Sequence, residues 1–360
     1  MTKAVRTVAV LGVLVVIGSA CSLRSLGSSS SATAKMLDIF AAGPTSADAK
    51  ALLGSGNWFT GAPTFEVRPL DDATFPAGVV YEVVRRYVNV GTSELWRVRY
   101  IQYDSTSTAT SVLTANQTSF GTTTTGKKVG DQVLYVTKKV SNVNDQGAPY
   151  ETLTLIRVGS VLIESIWLTN NGFPSSDHQG NLASKLASGV TNVIAGKVHG
   201  TPISATQLAT LPPPNSYITL LGAVKLPIEA VPLMLTAPAP TSLVDAFQVQ
   251  GVNDLVFGDY VLDSDTHMEV LAASMAFPSA DQASQVFNAF KGTNSLDRNG
   301  VLVFYNDQAG QYEYFIQSGT HIGLLICKST AELDVKEAAS RACENPLENV
   351  SVAWPLALSG

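Results

Sequence analysis

The sequence has few of the residues, and none of the short motifs, on which common catalytic sites depend. Its 360 residues include three cysteines and four histidines. It has no Cys-x-x-Cys pair, Gly-x-Ser-x-Gly turn, His-Glu-x-x-His helix or Gly-x-x-x-x-Gly-Lys-Ser/Thr loop. These absences argue against a dithiol oxidoreductase, a zinc protease or a P-loop enzyme, and we expect no catalytic residue, cofactor or metal. A triad assembled from distant positions stays open.

Charged residues are also scarce, at 14% of the chain, and they leave a formal net charge of −6. Proteins that bind nucleic acid neutralise its phosphates with Lys and Arg, so a net acidic chain argues against a nucleic-acid partner. Hydrophobic residues make up 45% of the chain. This content is too high for a disordered protein, and the length is sufficient for two domains of ordinary size.

The first apolar run is too short to span a membrane. Residues 8–17 are largely apolar, whereas a transmembrane helix needs about 20 such residues. Basic residues precede the run, and small residues follow it up to Ala20. This order is typical of a secretory signal, so we expect residues 1–20 to be removed.

Cys21 comes next, and the segment Gly18-Ser19-Ala20-Cys21 resembles the lipobox of bacterial lipoproteins. Ala20 and Cys21 match its core, whereas Gly18 departs from the branched apolar residue that the family prefers. The resemblance implies a thioether-linked diacylglycerol on Cys21, usually with an acylated amine, and anchoring at the extracytoplasmic face of a membrane. An ordinary signal peptide cleaved after Ala20 is the alternative. The serine-rich residues 21–34 are predicted to form a flexible tether.

The rest of the chain contains two copies of one order of strands and helices. Residues 103–113 align without a gap with residues 277–287, and each stretch has a serine suited to cap a helix, Ser105 or Ser279. Each stretch is accompanied by strand patterns, a hairpin with a central glycine and a closing amphipathic helix. The predicted strands and closing helices are 95–103, 132–139, 152–167 and 178–195 in copy one, and 269–277, 300–306, 311–326 and 330–343 in copy two.

This order of elements predicts an α+β fold with two tandem related domains, each an antiparallel sheet with helices packed on one side. We place the domains at residues 35–200 and 201–360, the second with a proline-rich leading segment. In outline the plan resembles the PsbP-like domains of actinobacterial envelope lipoproteins. The resemblance lies in the order and spacing of the secondary-structure elements, and it assigns no functional residue.

Besides Cys21, the chain has only Cys327 and Cys343. An exported chain meets an oxidising environment in which two such thiols tend to pair, so we predict a disulfide between them. Two buried free thiols are the alternative.

Two neighbouring predicted strands of copy one carry a basic group, namely Arg85, Arg86, Arg97 and Arg99. Alternation along a strand places Arg97 and Arg99 on one face, where they could bind a carboxylate, a phosphate or a lipid headgroup. Copy two has Leu271 and Ala273 at the equivalent positions, so the two copies are expected to use this face differently. The alternative is an exposed sheet face that its charges keep soluble.

An acidic group in copy two also alternates along the chain, namely Asp263, Asp265, His267 and Glu269. On a strand these four side chains could share a face and bind a metal. The counterpart in copy one reads as a hairpin turn with exposed polar residues. We therefore interpret the acids as solvated turn residues and predict no metal site.

Together these features favour a membrane-anchored envelope lipoprotein that acts as a non-catalytic ligand-binding or sensing module. Its partners would be the membrane, through the lipid on Cys21, and a small molecule, a lipid or an envelope protein. The expected site is a groove between the copies, because clefts between domains often bind ligands. Two alternatives stay open. One is an envelope hydrolase with a dispersed active site, and the other is a scaffold that binds another envelope protein through a sheet edge.

Overall fold

The structure is a computed structural model that describes residues 34–54, 56–67, 77–120, 125–139, 150–213, 215, 217–291, 296–298, 301–306, 311–329 and 336–358. The predicted signal peptide and the lipidation site Cys21 lie outside the described residues. All of the predicted tether except Ala34 lies outside them as well.

The chain divides into two compact units. The first comprises residues up to Trp58 together with Glu66–Gly200, and the second comprises Phe59–Phe65 together with Thr201–Gly360. The short segment Phe59–Phe65 thus groups with the second unit although the predicted boundaries placed it in copy one. Nothing in its composition sets it apart from its neighbours in sequence.

The first unit is built around an antiparallel sheet. Its elements are α1 (Met36–Ala42), α2 (Ser46–Leu53), β3 (Val79–Asn89), β4 (Glu94–Tyr103), α3 (Thr106–Phe120), β5 (Gln132–Lys139), β6 (Tyr150–Val158), β7 (Val161–Thr169) and α4 (Ser176–Ile194). Two short strands, β1 (Trp58–Thr60) and β2 (Thr64–Val67), lie where the chain passes from one unit to the other. Strands β3, β4, β7, β6 and β5 are neighbours in that order.

The second unit contains a seven-stranded antiparallel sheet. Its elements are α5 (Ala205–Leu208), β8 (Ile218–Pro227), α6 (Ala230–Met234), α7 (Pro240–Val249), β9 (Asp254–Leu262), β10 (Asp265–Ala276), α8 (Ala280–Lys291), β11 (Leu296–Arg298), β12 (Val301–Asn306), β13 (Gln311–Ser318), β14 (His321–Ser329) and α9 (Lys336–Leu358). The strand order is β11-β12-β13-β14-β10-β9-β8. Its run β9-β10-β14-β13-β12 repeats the order of the first unit. The α+β class with two related antiparallel sheets is therefore confirmed.

Helices cover both faces of the first sheet, whereas the sequence led us to expect them on one side. Helix α3 packs Leu113 against Ile101 on one face. Helix α1 lies on the other face, where the Phe40 ring contacts the Arg85 guanidinium, and α4 packs there too, with His178 against Trp167. Both faces need a cover because strand β4 buries side chains on each of them.

Helices also cover both faces of the second sheet. On one face, α8 stacks Phe290 on Phe315, with ring centroids 4.3 Å apart. On the other, α9 buries Trp354 in a cluster that includes Tyr260 and Tyr314. The predicted closing helix at 330–343 corresponds to α9, which is described from Lys336 and continues much further than predicted, to Leu358.

Local sequence signals explain where several elements begin and turn. The Ser105 and Ser279 hydroxyls accept hydrogen bonds from the backbone amides of Thr108 and Gln282, at 3.1 and 3.2 Å, so both predicted caps are confirmed. Gly159 adopts a φ of 60° between β6 and β7. A left-handed conformation of this kind favours glycine because it has no Cβ.

A disulfide joins Cys327 on β14 to Cys343 on α9. Both residues are buried in the core cluster between sheet and helix. The bond therefore ties the closing helix to a central strand of the second unit.

Candidate functional site

The first unit contains a groove of about 320 Å³ between α3 and one face of the sheet. Eight charged side chains line it: Arg86, Arg97, Arg99, Lys138, Glu66, Glu82, Glu151 and Glu164. Apolar side chains adjoin them, since the strand register places Arg97 beside Ile166 and Ile166 beside Leu153. On the helix side the lining includes Val112 and Phe120. The groove is therefore amphiphilic, with charges of both signs beside an apolar floor.

Arg99 is held rigidly by Glu82. Its Nε and Nη2 donate to the two carboxylate oxygens at 2.6 and 2.7 Å, and the Glu82 residue is 1% exposed. Burial lowers the pKa of Arg99, but the charge and hydrogen bonds of Glu82 outweigh it, so the pKa is raised above its ordinary value. Arg99 is thus a permanent cation that commits two of its five N–H donors to Glu82.

Arg97 is more available to a ligand. A single hydrogen bond joins its Nη2 to Glu164 at 2.9 Å, and the two side chains are 23% and 18% exposed. Burial raises the pKa of Glu151, with an opposing effect from the charges of Lys138 and Arg97. Glu151 therefore becomes neutral more readily than an ordinary glutamate, and its protonation makes the groove more positive.

The predicted arginine group is only partly brought together. Arg86, Arg97 and Arg99 line the groove, so the predicted shared face of Arg97 and Arg99 is observed. Arg85 points to the opposite face because adjacent residues on a strand alternate. Its Nη1 donates to the Phe40 carbonyl at 3.1 Å and its guanidinium lies 4.6 Å from the Phe40 ring centre. Arg85 is therefore a packing residue of α1 and β3.

The second unit uses the equivalent face for packing. Leu271 and Ala273, which align with Arg97 and Arg99, are both buried. Across the strand pair, Arg97 faces Arg86 in the first unit, and Leu271 faces Asp259 in the second. A buried aspartate thus replaces Arg86. The expected difference in use between the copies is observed.

Asp259 and Glu269 form a buried carboxylate pair on this face of the second unit. Asp259 is fully buried, and Glu269 lies on the neighbouring strand, two residues from Leu271. Thr64 donates its hydroxyl to Glu269 at 2.9 Å, and the Phe65 amide donates to Asp259 at 2.5 Å. Two carboxylates thus hold the segment Phe59–Phe65 against β9 and β10.

The pair raises the proton affinity of Asp259. Burial raises its pKa well above the ordinary value and the negative charge of Glu269 raises it further, with opposition from the Phe65 amide and Lys328. Lys328 also pairs with Glu269, Nζ to Oε2, at 3.1 Å. Protonation of Asp259 would therefore relieve the repulsion between two buried carboxylates.

The interpretation of the acidic group as solvated turn residues holds for Asp263 and is wrong for Glu269. Asp263 lies at an exposed turn and accepts a hydrogen bond from Thr219 at 2.7 Å. Glu269 is buried on β10, beyond an irregularity in the strand register after Asp265. The His267 side chain lies outside the described residues. Within the described part of the chain no group of three or more potential metal ligands is found.

Comparison with known proteins adds little. No protein-family model and no curated protein matches the chain. Among solved structures, the extracellular domain of PknH from Mycobacterium tuberculosis is similar over 44% of this chain and 98% of that domain, with 13% identity and a TM-score of 0.34. A likeness this weak assigns neither a family nor a function. None of the helices in the described ranges is both long and apolar enough to cross a bilayer.

Proposed function

We propose that this chain is a lipid-anchored envelope protein whose first unit binds an amphiphilic anion in the groove under α3, without catalysis. The observation that carries the proposal is a concave surface in which Arg97, bound to Glu164 through one hydrogen bond, lies beside apolar side chains. Ligand sites are typically concave and mostly apolar, with a few placed polar groups that orient the ligand.

The chemistry of the groove favours an anionic headgroup joined to an apolar chain. Arg97 can exchange its single bond to Glu164 for a bidentate contact with a carboxylate or phosphate. Arg99 would contribute charge from its fixed position beside Glu82. The apolar chain would lie against Leu153, Leu155 and Val112.

Binding of dodecyl phosphate, measured by calorimetry below its micellar concentration, tests this proposal. The Cys21→Ser chain, purified without detergent, should bind dodecyl phosphate more tightly than either inorganic phosphate or neutral dodecyl maltoside. Arg97→Ala should weaken binding at least tenfold, because a charge-assisted hydrogen bond contributes roughly 1.5–3 kcal/mol, which corresponds to about 10- to 150-fold in affinity.

Arg157→Ala is the matched control for this experiment. Arg157 lies on the same sheet face but outside the groove lining, where it pairs with Asp131 at 3.0 Å. Equal weakening by Arg97→Ala and Arg157→Ala, or no binding of dodecyl phosphate at all, would contradict the proposed site.

The proposed location rests on the Cys21 segment and on the disulfide. A disulfide in a chain of this kind is typical of oxidising compartments outside the cytoplasm. Metabolic labelling with a palmitate analogue should tag the wild-type chain and leave Cys21→Ser untagged. A tag of equal strength on both chains would refute lipidation at Cys21.

A further inference from the structure

The groove under α3 presents carboxylates as well as cations to a ligand. Its described lining contains four cationic and four acidic side chains, so their formal charges cancel. A bare anion gains from such a lining only where a cation lies nearer to it than the carboxylates do. A ligand with charges of both signs could use both kinds of side chain.

Glu151 is the carboxylate of this lining that is most available to a ligand. It is half-buried on β6, two residues from Leu153. Its side chain makes no hydrogen bond or ion pair within the described part of the chain, although the strand register places the exposed Lys138 opposite it. The charges of Arg97 and Glu164 both act on the pKa of Glu151, so the three side chains lie within electrostatic reach of one another.

Glu164 loses a partner when Arg97 turns to an anion. Its hydrogen bond from Arg97, at 2.9 Å, is the bond that the anion would replace, and its side chain is only 18% exposed. Arg99 lies opposite Glu164 in the strand register, but two of its donors stay with Glu82. A bare anion on Arg97 would therefore leave Glu151 and Glu164 close to its own negative charge, which is unfavourable.

We infer that the ligand of this groove is a zwitterionic amphiphile whose headgroup carries a primary ammonium beside its phosphate. The inference rests on the proposed function, because Arg97 remains the site of the anionic group. The ammonium donates to Glu151, and to Glu164 once Arg97 has left it. An ammonium has three donors and no acceptor, which complements carboxylates that can only accept.

The lining favours a primary ammonium over a quaternary one. Quaternary ammonium groups are bound by cages of aromatic rings. The described lining includes two aromatic residues, Tyr103 and Phe120, and Tyr103 is only 3% exposed within a core cluster. The one remaining ring, Phe120, does not form a cage.

Calorimetric titration of the Cys21→Ser chain with three amphiphiles, each below its micellar concentration, tests the inference. Dodecyl phosphoethanolamine carries the primary ammonium, dodecylphosphocholine carries a quaternary one, and dodecyl ethyl phosphate is a phosphodiester without a cation. Dodecyl phosphoethanolamine should bind at least tenfold more tightly than the other two, because each charge-assisted hydrogen bond contributes about that factor. An affinity no higher than that of either other compound would overturn the inference and leave the proposed anion site in place. Absence of binding by all three would contradict the proposed function itself.

Glu151→Gln gives a second readout, in which the two phosphodiesters should respond differently. The variant should weaken dodecyl phosphoethanolamine about tenfold. It should leave dodecyl ethyl phosphate equally or more tightly bound, because it removes a negative charge near the anion.

Glu94→Gln is the matched control. Glu94 is a half-buried carboxylate of β4 outside the groove lining, and it accepts a hydrogen bond from the Asn170 amide at 3.2 Å. It should leave both affinities unchanged. An equal loss of both phosphodiesters in Glu151→Gln, or no change in either, would overturn the role of Glu151.

Discussion

Arg99→Ala is expected to destabilise the first unit strongly. Glu82 is almost completely buried and both of its oxygens accept from Arg99. The substitution leaves a carboxylate in a low-dielectric site without its guanidinium. Breaking a buried ion pair by removing one partner costs about 3–5 kcal/mol.

The comparison with Arg97→Ala isolates the effect of burial. Arg97 and Glu164 are each about a fifth exposed and share one hydrogen bond, so solvent screens the charge that remains after truncation. Pairs of this kind contribute about 1 kcal/mol or less. Replacing both members of the buried pair, as Glu82→Leu with Arg99→Met, should recover most of the loss because no unpaired charge is left.

These differences are measured by urea unfolding, with hydrogen exchange of peptides from β3 and β4 as the probe. This probe reports on the first unit separately from the second. The Arg99→Ala variant should lose several kcal/mol, and the Arg97→Ala variant should lose about 1 kcal/mol or less. A loss for Arg99→Ala no larger than for Arg97→Ala would refute the argument that Glu82 depends on its partner.

Three further predictions concern titration and the disulfide. The native pKa of Asp259 lies above its unfolded value, so the folded state binds the proton more tightly. The contribution of Asp259 to stability therefore falls as pH rises from the unfolded pKa to the native pKa. Asp259→Asn should therefore stabilise the second unit at pH 8 relative to pH 5 in urea unfolding, and an equal effect at both pH values would contradict this. Because the pKa of Glu151 is raised, its protonation as pH falls from 7 to 5 should favour dodecyl phosphate, while the phosphate itself loses charge over the same range. Glu151→Gln should therefore change the pH profile of binding relative to the wild-type side chain; identical profiles would argue against this role. Cys343→Ser opens a loop with a sequence separation of 16 and should cost about 3 kcal/mol, which unfolding with and without reductant would measure; a cost near zero would refute the estimate.

The parts of the fold that were predictable have local causes. The serine caps, the central glycines of the hairpins and the repeated order of strands and helices were all readable, since capping, φ preference and period depend on residues close in sequence. The predicted helix at 178–195 corresponds to α4, whose bounds are Ser176–Ile194. Its side chains Leu182, Leu186 and Val190 are buried along one stripe.

Strand β8 was not predicted and helix α9 was predicted too short, because tertiary packing overrides local preference. Strand β8 lies in the proline-rich leading segment of the second copy, and its last residue, Pro227, needs no ladder amide at that end. Helix α9 continues through Pro346 and Pro355, which ordinarily end a helix. Its buried side chains, including Leu347 and Trp354, provide the compensating contacts.

The sequence by itself determined the α+β plan, its repetition and the shared face of Arg97 and Arg99, because each follows from spacing along the chain. Only the tertiary structure decided which charges are paired. It joined Arg99 to Glu82, turned Arg85 toward α1, and buried Asp259 beside Glu269. The physical reason is that the cost of a charge depends on burial and on partners from other strands, and strand register sets both.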